Sequence, residues 1–590
     1  MQRALVIACL ALAAAVFAVS AHGQATHKPV TFDVGYTQDI DSMNPIVGVT
    51  VAAYEAWNIQ YEALVERSAK DFSAIPGLAQ SWKGSPDKRT WTYTLRPNLK
   101  WSDGQPLTSA DVAYTINTAR KQQWLNYTAT VSDLVATAPN PRTVVIHSTQ
   151  PDPKLPIVDA YILPQHVWGK LPKSAITKYR AEDGVGSGPF VLEHREKGQF
   201  ARFRANPYFW QGKPKVDRVI LRNFDNPDAM VAALERGEID AAEDVPGTAF
   251  HKLQKNPRIQ TVAGYQGAMN ELALNGGDGL KKPHPALLDP RVRQAISHAI
   301  DRQTLVNRTL SGLGRPSEVL SVSPNPAWEP TVPPGDRFTF DLAKARSILD
   351  EAGYKDTDGD GIREMPGGGK PLIFRYAVRS EGDLGPSTAE YISGWLKQIG
   401  IGTTQKIYDD SRLTELIGKG DYDLFVWGWT PFVDPDPMLS YFQCNQVSHD
   451  PKDPTNYYND ANLCDKGYDA LYKQQKTELD PAKRRDLVHQ MLLRFHDTAV
   501  YQVLYTYPDA QAYVKGRFTG FIRQPANTGP VIYSNSSPTY ARLAPIAASA
   551  GADKGGGGAG TIVAIVLAAV VVLGGGALWL RRRRTAYERE

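Results

Sequence analysis

At 590 residues the chain has room for about three to five lobes of roughly 100–200 residues each. With 42% hydrophobic, 22% charged and 10% aromatic residues it is neither a disordered nor a collagen-like polymer. The formal charge of +4 comes from Arg3 and the arginine-rich residues 581–590; residues 22–580 are formally neutral, which argues against nucleic acid as a partner, because a phosphate-binding surface needs excess cations.

In chain order, residues 1–21 read as an export signal: Arg3 precedes an apolar run over 4–19, and Val19-Ser20-Ala21 offers small residues for cleavage. Only eight residues precede Cys9, too few for a lipid-attachment signal. Trp91-Thr92-Tyr93-Thr94-Leu95 alternates with period two and predicts a strand, as does 216–224. Between them, Gly184-Val185-Gly186-Ser187-Gly188-Pro189 runs into apolar Phe190-Val191-Leu192, so it reads as a tight turn into a strand rather than a phosphate cradle. Asp289-Pro290 starts a helix with Val292, Ile296, Ala299 and Ile300 on one face. Asp341 caps a second, with Leu342, Ala345, Ile348, Leu349 and Ala352 inward and Gly353 at its end. Asp480-Pro481 starts a third, striped by Leu487, Val488, Met491, Leu492 and Phe495, with His489 and His496 at the edges of the stripe. The alternation of strand and helix signals predicts an α/β protein of several lobes.

Residues 544–560, rich in Ala and Gly, read as a flexible linker. The uncharged run 561–580 matches the ~30 Å hydrocarbon core and predicts a transmembrane helix. Arg581 to Arg584 follow it, so residues 581–590 are expected as a basic cytoplasmic tail of a single-pass membrane protein whose remainder lies outside. Outside the cell, Cys444 and Cys464 either pair or remain as two buried thiols.

Enzyme signatures are absent. There is no H-E-x-x-H, G-x-S-x-G, Walker A loop or C-x-x-C, and Ser85-Pro86-Asp87-Lys88 alone does not make a penicillin-recognising site. Asp356, Asp358 and Asp360, with Gly361, match positions 1, 3, 5 and 6 of an EF-hand-type loop, but position 12 is Gly367. A hydrated Asp/Gly turn is the preferred reading there, with calcium as the weaker one. No cofactor is expected.

Several segments, in order, resemble the extracellular solute-binding proteins of family 5, the peptide/nickel capture subunits of ABC importers. The most specific is Leu78-Ala79 … Ser81-Trp82 … Thr90-Trp91 … Leu95-Arg96 … Lys100-Trp101-Ser102-Asp103-Gly104 … Ala110-Asp111-Val112. Gly186-Ser187-Gly188-Pro189-Phe190, Asn206-Pro207-Tyr208-Phe209-Trp210, Gly237-Glu238-Ile239-Asp240, Arg291-Val292-Arg293-Gln294-Ala295-Ile296 and Glu351-Ala352-Gly353-Tyr354 continue it. Read physically, Trp101-Ser102-Asp103-Gly104 is a hairpin corner, so the motif marks a scaffold. The resemblance implies a periplasmic-binding-protein-like fold of type II: a three-lobed clamp with two lobes hinged by crossing strands. The expected lobes are 28–50, 185–275 and 505–543 (lobe I), 51–184 (lobe II) and 276–504 (lobe III). It further implies a monomer that captures a small-molecule or short-peptide solute by lobe closure and passes it to an ABC permease with its ATPase subunits. A solute sensor, a peptide chaperone and a receptor for a nickel chelate or a sugar are alternatives on the same fold; a surface hydrolase using Ser187 is disfavoured.

For the solute site, residues 423–436 are the leading stretch, a strand running into a loop. Aromatic Trp427 and Trp429, then Thr430, Asp434 and Asp436, suit a solute with an uncharged body and a cation. Peptide-binding relatives carry an aspartate near the position of Phe432; here the next acid is Asp434. Met269 and Asn270, on an expected cleft wall over 265–275, and Met43 and Asn44, near the first hinge, are further candidates. The resemblance also implies that Cys444 and Cys464 clip the loop after the aromatic strand.

Overall fold

The computed structural model describes residues 29–155, 157–380, 384–450, 458–532 and 538–546. A four-stranded antiparallel sheet contains, in spatial order, Ala79–Gly84, Thr90–Leu95, Thr143–Ser148 and Leu134–Asn140. The alternation over 91–95 has the expected result: Trp91, Tyr93 and Leu95 are buried and Thr92 is exposed, as in a sheet with one wet face. Trp101-Ser102-Asp103-Gly104 forms a corner in which the Gly104 N–H donates to the Trp101 carbonyl and Gly104 takes a φ of +86°. Ser102 then fastens this corner to the glycine-rich segment, its N–H donating to the Gly186 carbonyl and its Oγ to that of Gly184. A Cβ on Gly186 would stand 2.2 Å from the Gln60 carbonyl oxygen, so that glycine is a steric necessity of close packing.

A seven-stranded sheet runs Ile259–Gly264, Asp509–Val514, Ala241–Ala242, Thr31–Tyr36, Arg218–Asn223, Phe200–Ala205, Phe190–Glu196. Its central strand, Thr31–Tyr36, is parallel to both neighbours. Its core is continuous with that of the four-stranded sheet, joining Phe32 and Val34 to Tyr93 and Trp101.

The third sheet has six strands, Arg315–Pro316, Tyr501–Thr506, Met269–Leu274, Leu424–Trp429, Ile373–Arg379 and Gly402–Tyr408. Alternate residues of Met269–Leu274 enter different cores: Leu272 and Leu274 join helices Pro290–Ala299 and Leu342–Glu351, whereas Met269 and Ala273 join Pro481–Asp497. The three helices are capped as expected by Asp289, Asp341 and Asp480, each accepting main-chain N–H bonds, with about 1 kcal/mol per cap. The third helix differs in one respect: His496 is buried, not at the edge, and stacks on Phe338 at 4.5 Å. The chain leaves the seven-stranded sheet for the six-stranded one through residues 265–268 and returns through 507–508, and the Tyr507 N–H donates to the Ala268 carbonyl.

Two expectations at the carboxyl end are corrected. Ala544–Pro545 pair with Phe518–Thr519, so residues assigned to the linker belong to the fold. Among the described residues no helix is long and apolar enough to cross a membrane, and the run 561–580, like the signal 1–21 and the tail 581–590, lies outside them. The fold class of the described residues therefore stands without the expected transmembrane helix, and no described residue supports the single-pass membrane localisation. Cys444 and Cys464 are joined as a disulfide, with Cα atoms 4.3 Å apart.

Candidate solute-binding site

Strands Ile373–Arg379, Gly402–Tyr408 and Leu424–Trp429 are parallel, so their carboxyl ends lie on one side of the sheet. Met269 pairs with Trp429 on one side and with Thr506 on the other, bringing both crossing segments to that same end. In α/β sheets the crevice beyond the carboxyl ends of the strands is where ligands bind, and here it faces the junction between the two large sheets.

The strand Leu424–Trp429 passes from core to crevice: Leu424 to Val426 are buried, Trp427 to Trp429 half-buried, Thr430 exposed. The Trp427 ring lies under the Arg379 guanidinium at 4.6 Å. Trp429 Nε1 donates to the Tyr501 hydroxyl at 2.6 Å, and its ring packs 5.5 Å from that of Tyr441, which stacks on Tyr458. The Tyr501 hydroxyl in turn donates to Asp460 Oδ2 at 3.1 Å. Beside this chain of bonds stands Glu271, opposite Trp427 in register and wholly buried. Burial, then the charge of Asp460, pushes Glu271 well above the usual carboxylate range. Burial likewise pushes Asp460 up to about 7, against the pull of its bond from Tyr501.

The expected acids of the loop stand differently. Asp434 is taken by Arg484 in a two-pronged ion pair of 2.7 and 2.8 Å. Burial raises its pKa, but the Arg484 charge outweighs that and holds Asp434 below the usual range. Asp436 accepts from Lys154 Nζ at 3.0 Å and from Gln475 Nε2 at 2.8 Å. Both acids expected to meet a solute cation are thus engaged by cations of the protein itself. Lys154 reaches Asp436 from the segment that follows the four-stranded sheet, and Phe72 packs on Val433 nearby in sequence. The loop 430–436 is thus a contact between the four- and six-stranded parts.

Met269 is wholly buried, its sulfur accepting from the Ser321 N–H, and Asn270 is half-buried, donating to the Tyr505 hydroxyl at 3.3 Å. Both lie at the crevice end of their strand, with Trp427 and Trp429. Asn44 is apart from them. Its amide donates to the carbonyls of Ile176 and Tyr179 and accepts from the Ile46 N–H, so this buried side chain ties chain segments together, next to an equally buried Met43. Asp356, Asp358 and Asp360 gather with Glu364, their carboxylate oxygens within 4.8 Å of one another. Main-chain N–H groups of Gly359 and Gly361 occupy Asp356, as in an Asp/Gly turn. Glu364, Glu271, Asp460, Tyr501 and Arg379 were not singled out from sequence; of these only Glu271, an acid inside the apolar run Met269–Leu274, carries a visible signal.

On the other side of the junction lies a second group of acids. Glu55 accepts from the Tyr540 hydroxyl, which lies 3.3 Å from that of Tyr36, and Asp509 accepts from Gln511 at 2.7 Å. Glu55, Glu243 and Asp509 each keep one oxygen without a hydrogen-bond partner. Burial raises all three, Glu55 to about 7.

Residues 73–450 match the family model described as bacterial extracellular solute-binding proteins, family 5. The oligopeptide-binding protein AppA of Bacillus subtilis is 25% identical over 506 residues, covering 83% of this chain and 89% of AppA. Its structure in complex with a nonapeptide aligns at a TM-score of 0.70 over 88% of this chain and 100% of that one. The nickel-binding periplasmic protein of Escherichia coli is 26% identical over 458 residues, 76% of this chain and 83% of that protein. NikA from Brucella suis, in complex with Fe(III)-EDTA, aligns at a TM-score of 0.74 with 25% identity, over 87% of this chain and 99% of NikA. The chain belongs to the bacterial extracellular solute-binding proteins of family 5, and is a binding protein of ABC transport rather than an enzyme.

Proposed function

We propose that the protein captures a short peptide in the crevice between its two large sheets, closes on it, and delivers it to an ABC permease. The observation that carries this reading is the wall of Trp427, Trp429 and Tyr441 at the carboxyl ends of the strands, half-buried and backed by acids. Flat aromatic surface accepts an uncharged backbone at low ordering cost, and the nearby polar groups orient it. Binding that touches both sides shifts the open/closed equilibrium by its differential affinity for the closed form. The relatives named for oligopeptides support the peptide class; those named for nickel supply the competing one. Native mass spectrometry of the purified protein, followed by calorimetry with peptides of two to nine residues, tests the reading. Intact peptide recovered from the protein supports it. Recovery of a metal chelate alone, or of cleaved peptide, refutes it.

A further inference from the structure

Neither carboxylate oxygen of Glu271 has a hydrogen-bond partner, although the side chain is 0% exposed. Asp460 leaves its Oδ1 unpartnered as well, at 7% exposure. A buried acid without a partner either keeps a proton or acquires a cation, because an isolated charge in an apolar surrounding is too costly. The groups that face Glu271 come from four elements: Tyr501 and Tyr505 from the strand Tyr501–Thr506, Tyr507 from the crossing segment, Asp460 from the chain before the helix Lys466–Thr477, and Arg379 from the end of Ile373–Arg379. Arg379 is the one cation among these neighbours, and its guanidinium lies over the Trp427 ring.

We infer that Glu271 and Asp460 are the receiving pair for a cationic group of the solute, an ammonium or a guanidinium, held in position by the Trp429–Tyr501–Asp460 chain of hydrogen bonds. This rests on the reading of the crevice as the peptide site. Asp434 and Asp436, the acids expected of the loop, are engaged by Arg484 and Lys154, whereas Glu271 and Asp460 hold unused acceptor atoms next to the aromatic wall. Burial raises both acids, Asp460 to about 7, so below that pH a cation that binds there displaces a proton from Asp460 to solvent, and affinity for it rises as the pH rises through about 7.

The test is calorimetry with Ala-Arg-Ala and its neutral isostere Ala-citrulline-Ala, each with a free and an acetylated amino end, at pH 6 and pH 8 in buffers of different ionisation enthalpy. Removing the decisive cation, from the side chain or the amino end, is expected to weaken binding about tenfold or more. Glu271→Gln and Asp460→Asn should each erase that difference, and the wild type should release protons on binding at pH 6. A preference for the cation that survives both substitutions, or binding without proton release, overturns the inference. Thermal unfolding of Glu271→Gln confirms that the isosteric change keeps the fold. Should none of the four peptides bind, the peptide reading fails by itself. The acid pair is then decided by tryptophan fluorescence with n-butylguanidinium against neutral n-butylurea. A saturable response to the cation alone, lost in Glu271→Gln, upholds the pair; equal responses, or none, overturn it.

Discussion

Glu55 sits in the middle of the helix Val51–Gln60, fully buried, with one oxygen accepting from Tyr540 and the other without a partner. Burial raises its pKa from 4.5 to about 7, while the nearby hydroxyls of Tyr36 and Tyr540 pull the other way. A carboxyl that binds its proton more tightly when folded contributes stability that is complete below the unfolded pKa and is lost as pH rises to the folded one. The window here is therefore about pH 4.5 to 7, and at about 1.4 kcal/mol per pH unit the full loss is roughly 3–4 kcal/mol for this one group, most of it above pH 5. Glu55→Gln keeps the acceptor for Tyr540 and places an amide N–H near the orphan oxygen of Glu243. The variant should match the wild type in urea unfolding at pH 5 and exceed it by roughly 2–3 kcal/mol at pH 8. Parallel stability curves across that range, with no divergence between the two proteins, would refute the reasoning.

Three further outcomes follow from other contacts. Arg484→Met leaves the half-buried Asp434 charge without its two-pronged partner and should cost about 1–3 kcal/mol in chemical unfolding, whereas Asp434→Asn should leave peptide affinity within about threefold. Lys154→Ala removes the 3.0 Å pair with Asp436 that bridges the four- and six-stranded parts, so small-angle scattering of the protein should show a larger radius of gyration; identical profiles would count against that contact as a closure element. Gly186→Ala drives a methyl to 2.2 Å from the Gln60 carbonyl oxygen, and a loss of more than about 2 kcal/mol is expected, read as a lower thermal midpoint; an unchanged midpoint would show that the Gly-rich turn has slack.

Much of the scaffold was legible because its signals are local. Alternation over 91–95, an Asp-Gly corner at 103–104 and Asp caps before three helices each act within a few residues, and the fold uses each as expected. The candidate site was legible only in its local signals. Trp427 and Trp429 are half-buried at the carboxyl end of their strand, as a strand that turns aromatic at that end announces. The ion pairs of Asp434 and Asp436 could not be read locally because their partners are remote: Arg484 is 50 residues on, and Lys154 is 282 residues back. Nothing short-range distinguishes an acid awaiting a solute from one already held by such a cation. Glu271 inverts the case, being an acid whose surroundings supply no hydrogen bond at all, and only three-dimensional packing exposes that.

The first strand, Thr31–Tyr36, is flanked by partners from residues 218–223 and 241–242, and Tyr540, 504 positions after Tyr36, closes over it with its hydroxyl near that of Tyr36. A ribosome delivering this chain from the amino end has produced nearly all of it before that lobe can lock. Such distant pairings fold slowly. That lobe accordingly stays open until the last turn of synthesis, whereas the four-stranded sheet, drawn wholly from residues 79–148, needs nothing that the ribosome adds later.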